Sequence, residues 1–310
     1  MIRLSYLLVD VFTHRPFGGS RLALFPNGEG LSAGLMQAIA GEMGCVEAAF
    51  VLPSRTGRRN WSALRVFTPT AEIPFAGHSV LGATCALDHL GRLARTGERT
   101  LCEWELESGY FPVLLREEEG RTLYSLVQNP PVFIGQYYHR DKVARALGIP
   151  SEEIAITGLP CEIVSTGLPI HIVPVGSLET VRAITLQPTE ADAIAVDLGF
   201  GDLFVFTCET ESAEADVHCR MFAPHFGIPE DPASGSANGA LAAYLIKHRL
   251  VPAQPHVRLV SEQGLEMGRP SRLIVEAEVE NGRASLIQVG GNCVVLGEGV
   301  LSVPDDLPAA

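Results

Sequence analysis

The feature that most limits how this chain can fold is a repeat inside it. Leu64-Arg-Val-Phe-Thr-Pro-Thr-Ala-Glu-Ile-Pro74 aligns without a gap on Cys219-Arg-Met-Phe-Ala-Pro-His-Phe-Gly-Ile-Pro229, with Arg, Phe, Pro and Ile-Pro at identical offsets. After each Ile-Pro a loop leads to a glycine, Gly77-His78 in the first copy and Gly235-Ser236 in the second. Each pair opens an apolar stretch in which Gly82-Ala83 matches Gly239-Ala240. The second loop is three residues longer, Glu-Asp-Pro-Ala-Ser against Phe-Ala. Five identities in one eleven-residue block favour duplication over chance. The chain is therefore expected to form two similar lobes, each with a strand, a glycine loop and a helix. Such a helix start presents backbone N–H groups suited to an anion. Two of them, one per lobe, are expected to grip a small carboxylate from both sides.

Length and composition agree with two cores. At 310 residues, 46% hydrophobic and 19% charged, the sequence has the make-up of a compact globular protein. Its formal charge of −13 disfavours nucleic acid and anionic lipid as partners. Met1–Gly19 reads as a first strand interrupted by Asp10 rather than as a signal peptide. With no run of eighteen apolar residues, no membrane helix is expected, and the predicted location is the cytoplasm. The seven cysteines show no CxxC and no Cys/His ligand spacing, which predicts reduced core thiols and no metal.

Strand patterns dominate, from Leu4–Phe12 through His171–Val175 and Val217–Phe222 to Cys293–Val295. Helices are expected at Leu31–Met43 with Ser32 as cap, at Asp141–Leu147 and at Glu190–Ala195. Ser79–Leu90 and Ser236–Lys247 are apolar on most faces and predict helices buried all round. Gln128-Asn-Pro-Pro131 marks the passage between lobes. The expected division is 1–128 and 129–288, with a last strand near 289–303 returning to the first lobe.

Four side chains near the repeated loops are candidates for chemistry. Glu47 enters an apolar strand, where desolvation raises a carboxyl pKa toward the range useful for proton transfer; a solvated strand-edge glutamate is the equally weighted alternative. His78 follows Gly77 at a helix start, whose dipole favours neutral imidazole. Asp231 lies in the longer loop and Ser236 after Gly235; taken singly, His78 reads more readily as a structural cap and Asp231 as an ordinary loop or N-cap aspartate, while Ser236 reads equally as a cap. No G-x-S-x-G elbow, dinucleotide fingerprint, P-loop or zincin pair is present.

Several motifs together resemble the phenazine-biosynthesis PhzF-like family: Asp10-Val-Phe-Thr, Pro16-Phe-Gly-Gly, Glu47-Ala-Ala-Phe, Ile73-Pro-Phe-Ala-Gly-His78, Glu230-Asp-Pro-Ala-Ser-Gly-Ser-Ala237, Val164-Ser-Thr-Gly-Leu-Pro and Glu262-Gln-Gly-Leu-Glu-Met-Gly-Arg-Pro-Ser. The resemblance covers nearly the whole chain. It implies an α+β, diaminopimelate epimerase-like fold of two pseudo-symmetric lobes, each a mixed sheet wrapped around a central helix. It further implies a homodimer that needs no cofactor or metal, and an isomerase that moves a proton on a small carboxylate-bearing, possibly cyclic, metabolite. Glu47 would be the general acid/base, with Gly77, His78, Asp231, Gly235 and Ser236 binding substrate.

The same fold also houses two-cysteine epimerases, but Ala76 and Ser234 stand at the cysteine positions here, which disfavours two-thiol inversion. Two departures from the family pattern stand out. Ser20-Arg21 replaces its usual Asn-Pro, and Val46 replaces the serine that often precedes the glutamate. The latter change is expected to make the surroundings of Glu47 more apolar and to raise its pKa further. Two other readings stay open at this point: a non-catalytic metabolite- or partner-binding protein on the same fold, and an epimerase or lyase acting on an amino-acid derivative.

Overall fold

The computed structural model describes residues 1–58, 60–224, 228–252 and 254–304. The His-Phe-Gly at 225–227 of the second repeat lies outside the described residues. The chain divides into two compact units, Met1–Val127 with Gly290–Ala310, and Gln128–Val289.

In chain order the first unit runs β1 (Ile2–Val11), β2 (Ser20–Phe25), α1 (Ala33–Met43), β3 (Glu47–Pro53), β4 (Trp61–Phe67), β5 (Glu72–Ile73), α2 (Gly77–His89), β6 (Arg99–Leu106), β7 (Gly109–Glu118) and β8 (Arg121–Val127). The second begins with β9 (Val132–Gln136), α3 (Arg140–Leu147), α4 (Glu152–Ala155), β10 (Glu162–Ser165), β11 (Pro169–Pro174), α5 (Leu178–Ala183) and α6 (Pro188–Leu198). It continues with β12 (Leu203–Thr207), β13 (Val217–Ala223), β14 (Ile228–Asp231), α7 (Gly235–Lys247), β15 (His256–Gln263), β16 (Ser271–Glu280) and β17 (Arg283–Gly291). The chain re-enters the first unit at Gly290 and ends it with β18 (Cys293–Val303).

The strand pairings repeat from unit to unit. In the first, β18 pairs antiparallel with β1 and β1 with β2, β2 runs parallel to β3, and β3 antiparallel to β4. Then β4 carries β5 antiparallel and runs parallel to β6, which pairs antiparallel with β7. In the second, β9, β10, β11, β12, β13, β14, β15 and β16 reproduce that succession of parallel and antiparallel pairs in the same order. A parallel pair requires a crossover. Accordingly α1 lies between β2 and β3 and α2 between β4 and β6, as α5–α6 lie between β11 and β12 and α7 between β13 and β15. The duplication read from one block of sequence thus extends over the whole of each unit.

Each unit wraps its sheet around one helix. In α2 every residue from His78 to Leu87 is buried, and in α7 every residue from Ala237 to Ile246. Neither helix carries a charged side chain before Asp88 or Lys247, so nothing on them must reach water. The repeated glycines permit close packing: a Cβ on Gly82 would stand 2.7 Å from Leu22 and 2.9 Å from Val11, and one on Gly239 would overlap Gln128. Two buried side chains of the helices, Thr84 and Tyr244, are hydrogen-bonded within the packing. Trp104 Nε1 donates to Thr84 Oγ1 at 2.7 Å, and Tyr244 OH donates to Pro160 O at 2.7 Å. The outer helix α1 instead buries one stripe, Leu35, Met36, Ile39 and Ala40. Ser32 Oγ accepts from Leu35 N at 3.2 Å, and Gly44 closes the helix in the left-handed region at φ 60°. That stop delivers the chain to the head of β3, where Glu47 stands.

In the second unit, α3 and α6 cover the face of β11 that carries His171 and Val173, together with Val175 just beyond the strand. His171 is fully buried with its ring edge-on to Tyr137, centroids 5.1 Å apart, and burial pushes its pKa down to about 3. An unfolded histidine binds a proton near pH 6.5 while this one stays neutral in the fold, so stability is complete above pH 6.5 and is lost as the pH falls toward 3. In urea unfolding, His171→Leu is expected to remove a slope of about 1.4 kcal/mol per pH unit in that window. An unchanged slope would contradict the assignment.

Candidate active site

The first unit holds Glu47, Gly77 and His78 together. Glu47 opens β3, paired with Leu22 of β2, and is 7% exposed. Gly77 and His78 are the first two residues of α2, and Ala76 is its N-cap position. His78 Nε2 lies 3.2 Å from Glu47 Oε2. Ser79, the next residue of the helix and fully buried, donates its hydroxyl to the same oxygen at 2.5 Å. Burial pushes the Glu47 carboxyl up to about 7, against the opposing effect of the Ser79 hydrogen bond, which favours the anion. At neutral pH the group is therefore close to evenly divided between acid and base, which suits both removal and return of a proton.

Ser79 changes the expectation placed on Val46. Val46 does leave no hydroxyl beside Glu47 in sequence, but the helix supplies one from across the sheet. The surroundings are thus less apolar than the substitution alone implies. Nothing in the sequence pattern singles out Ser79; its only signal is a place next to His78 in the first turn of a helix that faces β3. The other departure also has a structural role. Ser20 is buried at the start of β2 opposite Val11, and Arg21 Nε donates to the buried Asp10 at 3.0 Å, whose other oxygen accepts from Phe17 N at 2.8 Å.

The second unit holds Asp231, Gly235 and Ser236 together. Asp231 ends β14, Ser234 is the N-cap position of α7, and Gly235 and Ser236 are its first two residues. Ala76 and Ser234 are thus equivalent in the two copies, and neither is a cysteine. Ser236 is not the cap, and no side-chain cap hydrogen bond closes α7. Instead, Asp231 Oδ1 accepts from Ala233 N at 3.1 Å, and Gln128 Nε2 donates to Gly235 O at 2.9 Å. The repeated arginines brace each loop from below. Arg65 makes a two-pronged ion pair with Glu72 at 2.7 Å, and Arg220 one with Glu230 at 2.8 Å. Arg220 also donates to Val181 O and Ile184 O, both at 3.0 Å, which ties the end of α5 to the loop.

Among the described residues, no group of three His, Cys, Asp or Glu side chains is placed to hold a metal ion. No described helix is long and apolar enough to cross a membrane.

Two similar units, each a mixed sheet around a buried helix, define a diaminopimelate epimerase-like fold. A hydroxyproline epimerase from Agrobacterium vitis shares this fold with a TM-score of 0.62 at 14% identity, over 98% of this chain and 93% of that one. The sequence matches the phenazine biosynthesis-like protein family over residues 9–299, and the chain belongs to that family. It is 35% identical over 300 residues to the trans-2,3-dihydro-3-hydroxyanthranilate isomerase of Pseudomonas aeruginosa, covering 95% of this chain and 98% of that protein. The crystal structure of a PhzF-family phenazine biosynthesis protein from Bacillus anthracis superposes with a TM-score of 0.89 at 25% identity, over 98% of this chain and all of that one. The chain is accordingly an isomerase of this family.

The raised pKa has a consequence for stability. With a folded pKa near 7 against an ordinary 4.5, the stability given by the neutral carboxyl is complete below pH 4.5 and is lost as the pH rises through 7. Glu47→Gln is therefore expected to match the parent in urea unfolding at pH 4 and to exceed it at pH 8, by on the order of 3 kcal/mol. Ser79→Ala removes the bond that favours the anion and is expected to lower stability further at pH 8 than at pH 4. Equal effects at both pH values would contradict this picture.

Proposed function

We propose that the protein is a cofactor-independent proton-shifting isomerase of a small, cyclic, carboxylate-bearing metabolite, with Glu47 as its single acid/base. The observation that carries this reading is the Glu47 carboxyl, buried beside His78 and Ser79 with a pKa near 7. In the proposed reaction Glu47 takes a proton from a ring carbon, and the electron pair left behind spreads into the conjugated system toward the carboxylate. Glu47, now protonated, returns the proton to another carbon of that system on the same face. The double bond moves, and atoms and charge balance with no redox step. His78 holds a polar group of the substrate and Asp231 another. The amides at Gly77, at the start of α2, and at Gly235 and Ser236, at the start of α7, are the anion-binding groups of their respective units. With neither Ala76 nor Ser234 able to act as a thiolate, one-base transfer is favoured over two-base inversion.

The compound named for the Pseudomonas aeruginosa relative, trans-2,3-dihydro-3-hydroxyanthranilate, is the first substrate to test. Incubation in D2O is expected to place solvent deuterium on the ring during turnover. Glu47→Gln is expected to slow that incorporation by roughly 100-fold or more while remaining folded. If the glutamine variant exchanges as fast as the parent, Glu47 is not the base.

A further inference from the structure

The run Glu262–Ser271, one of the motifs that resemble the family and one that the proposed chemistry does not use, ends β15 and forms the connection to β16. In the first unit the equivalent connection, β6 to β7, is two residues long, Glu107 and Ser108. In the second it is seven, Gly264–Pro270, and it is the same unit whose loop before the central helix is longer by three. The two extensions touch. Gln263, fully buried at the last position of β15, donates from Nε2 to Asp231 O at 2.7 Å. Its Oε1 accepts from Ser234 N at 3.3 Å and from Asn238 Nδ2 at 3.0 Å. One amide side chain thus bonds both ends of the Asp231–Ser234 loop and the first turn of α7.

The middle of that loop is held as well. Ser271 Oγ lies 2.7 Å from Pro232 O and can donate to it. Gly264, at φ 76°, lets the connection pass so close that a Cβ there would stand 2.6 Å from both Pro232 O and Arg269 O. The connection is itself anchored to the sheet. The fully buried His218 on β13 bridges Glu262 through Nδ1 at 2.8 Å and Glu266 through Nε2 at 2.9 Å, and Glu262 also accepts from Ser212 N at 2.9 Å. A glutamine whose donor and acceptor are both engaged, on a braced hairpin, is suited to fixing a loop that would otherwise adopt several conformations.

We infer that Gln263 is a positioning residue, which, through the β15–β16 connection, fixes the Asp231–Ser234 loop in its substrate-binding conformation. This rests on the binding role proposed above for Asp231.

Hydrogen–deuterium exchange on the full chain without ligand tests it independently of turnover. Gln263→Leu keeps the volume and removes the bonds; the amides of 231–236 are expected to exchange about tenfold faster, with those of β15, β16 and the first unit unchanged. Ser271→Ala is expected to act in the same direction by less, and serves where the leucine variant does not fold. No change at 231–236, or an even acceleration throughout the second unit, overturns the inference. In the assay with trans-2,3-dihydro-3-hydroxyanthranilate, Gln263→Leu is expected to raise KM about tenfold while leaving the pH midpoint of kcat, which belongs to Glu47, in place. A shifted midpoint with unchanged KM also overturns it. A parent protein that does not turn this compound over counts against that choice of substrate, and the exchange result alone then decides the role of Gln263.

Discussion

One carboxyl group withdrawn from water sets the terms for the rest of the first unit. Glu47 is placed at the head of β3 by a helix that stops at Gly44, and it is closed over by the first turn of α2. Taken alone, a carboxylate in such a place is strongly disfavoured. The Ser79 hydroxyl, from that first turn, offsets part of the cost. The balance leaves the group near pH 7 rather than permanently protonated or permanently ionised. This requires the start of α2 to be held closely. The buried body of the helix, with Gly82 packed on Val11 and Leu22, provides that hold. Enlarging Gly82 would push the helix off the sheet at a cost of about 1–3 kcal/mol and shift the site with it.

The two copies keep their scaffold and differ at their helix starts. Both retain the order of strand pairings, the all-buried helix, the small-residue contact and an arginine braced by a glutamate. The braces are not at equivalent positions: Glu72 precedes its Ile-Pro and Glu230 follows it, so the same ion pair is made from either side of the turn. Above this shared frame the first copy carries Gly77-His78-Ser79 and the second the longer loop with Asp231. Divergence at the loops over a preserved frame is what a fold does when each half is given a separate task.

Much of this was legible in the sequence because it is written in local pattern. The repeat, the two largely apolar helices, the Ser32 cap and the family motifs depend on residues a few positions apart. Other elements were not. β2, Ser20–Phe25, is buried on both faces and lacks β-branched residues, so it shows neither alternation nor strand composition. β6 alternates from Arg99 to Trp104, with Thr100, Cys102 and Trp104 buried, yet Arg99, Glu103 and the buried Glu105 mask the pattern. Of the site, Glu47, His78, Asp231 and Ser236 stood out by motif. The partners that act on them, Ser79 and Gln263, are ordinary polar residues whose importance comes from contacts 32 positions away in sequence, Ser79 to Glu47 and Gln263 to Asp231. No local period encodes such a contact.

The protonation of Glu47 is the point on which the account turns, and it can be observed without any substrate. Carbon-13 NMR of the side-chain carboxyl, assigned by its disappearance in Glu47→Gln, follows the titration directly. The account predicts a midpoint near pH 7 in the folded protein. A midpoint near the ordinary glutamate value of 4.5 would contradict it, because the group would then be a weaker base with less driving force to take a proton from a ring carbon.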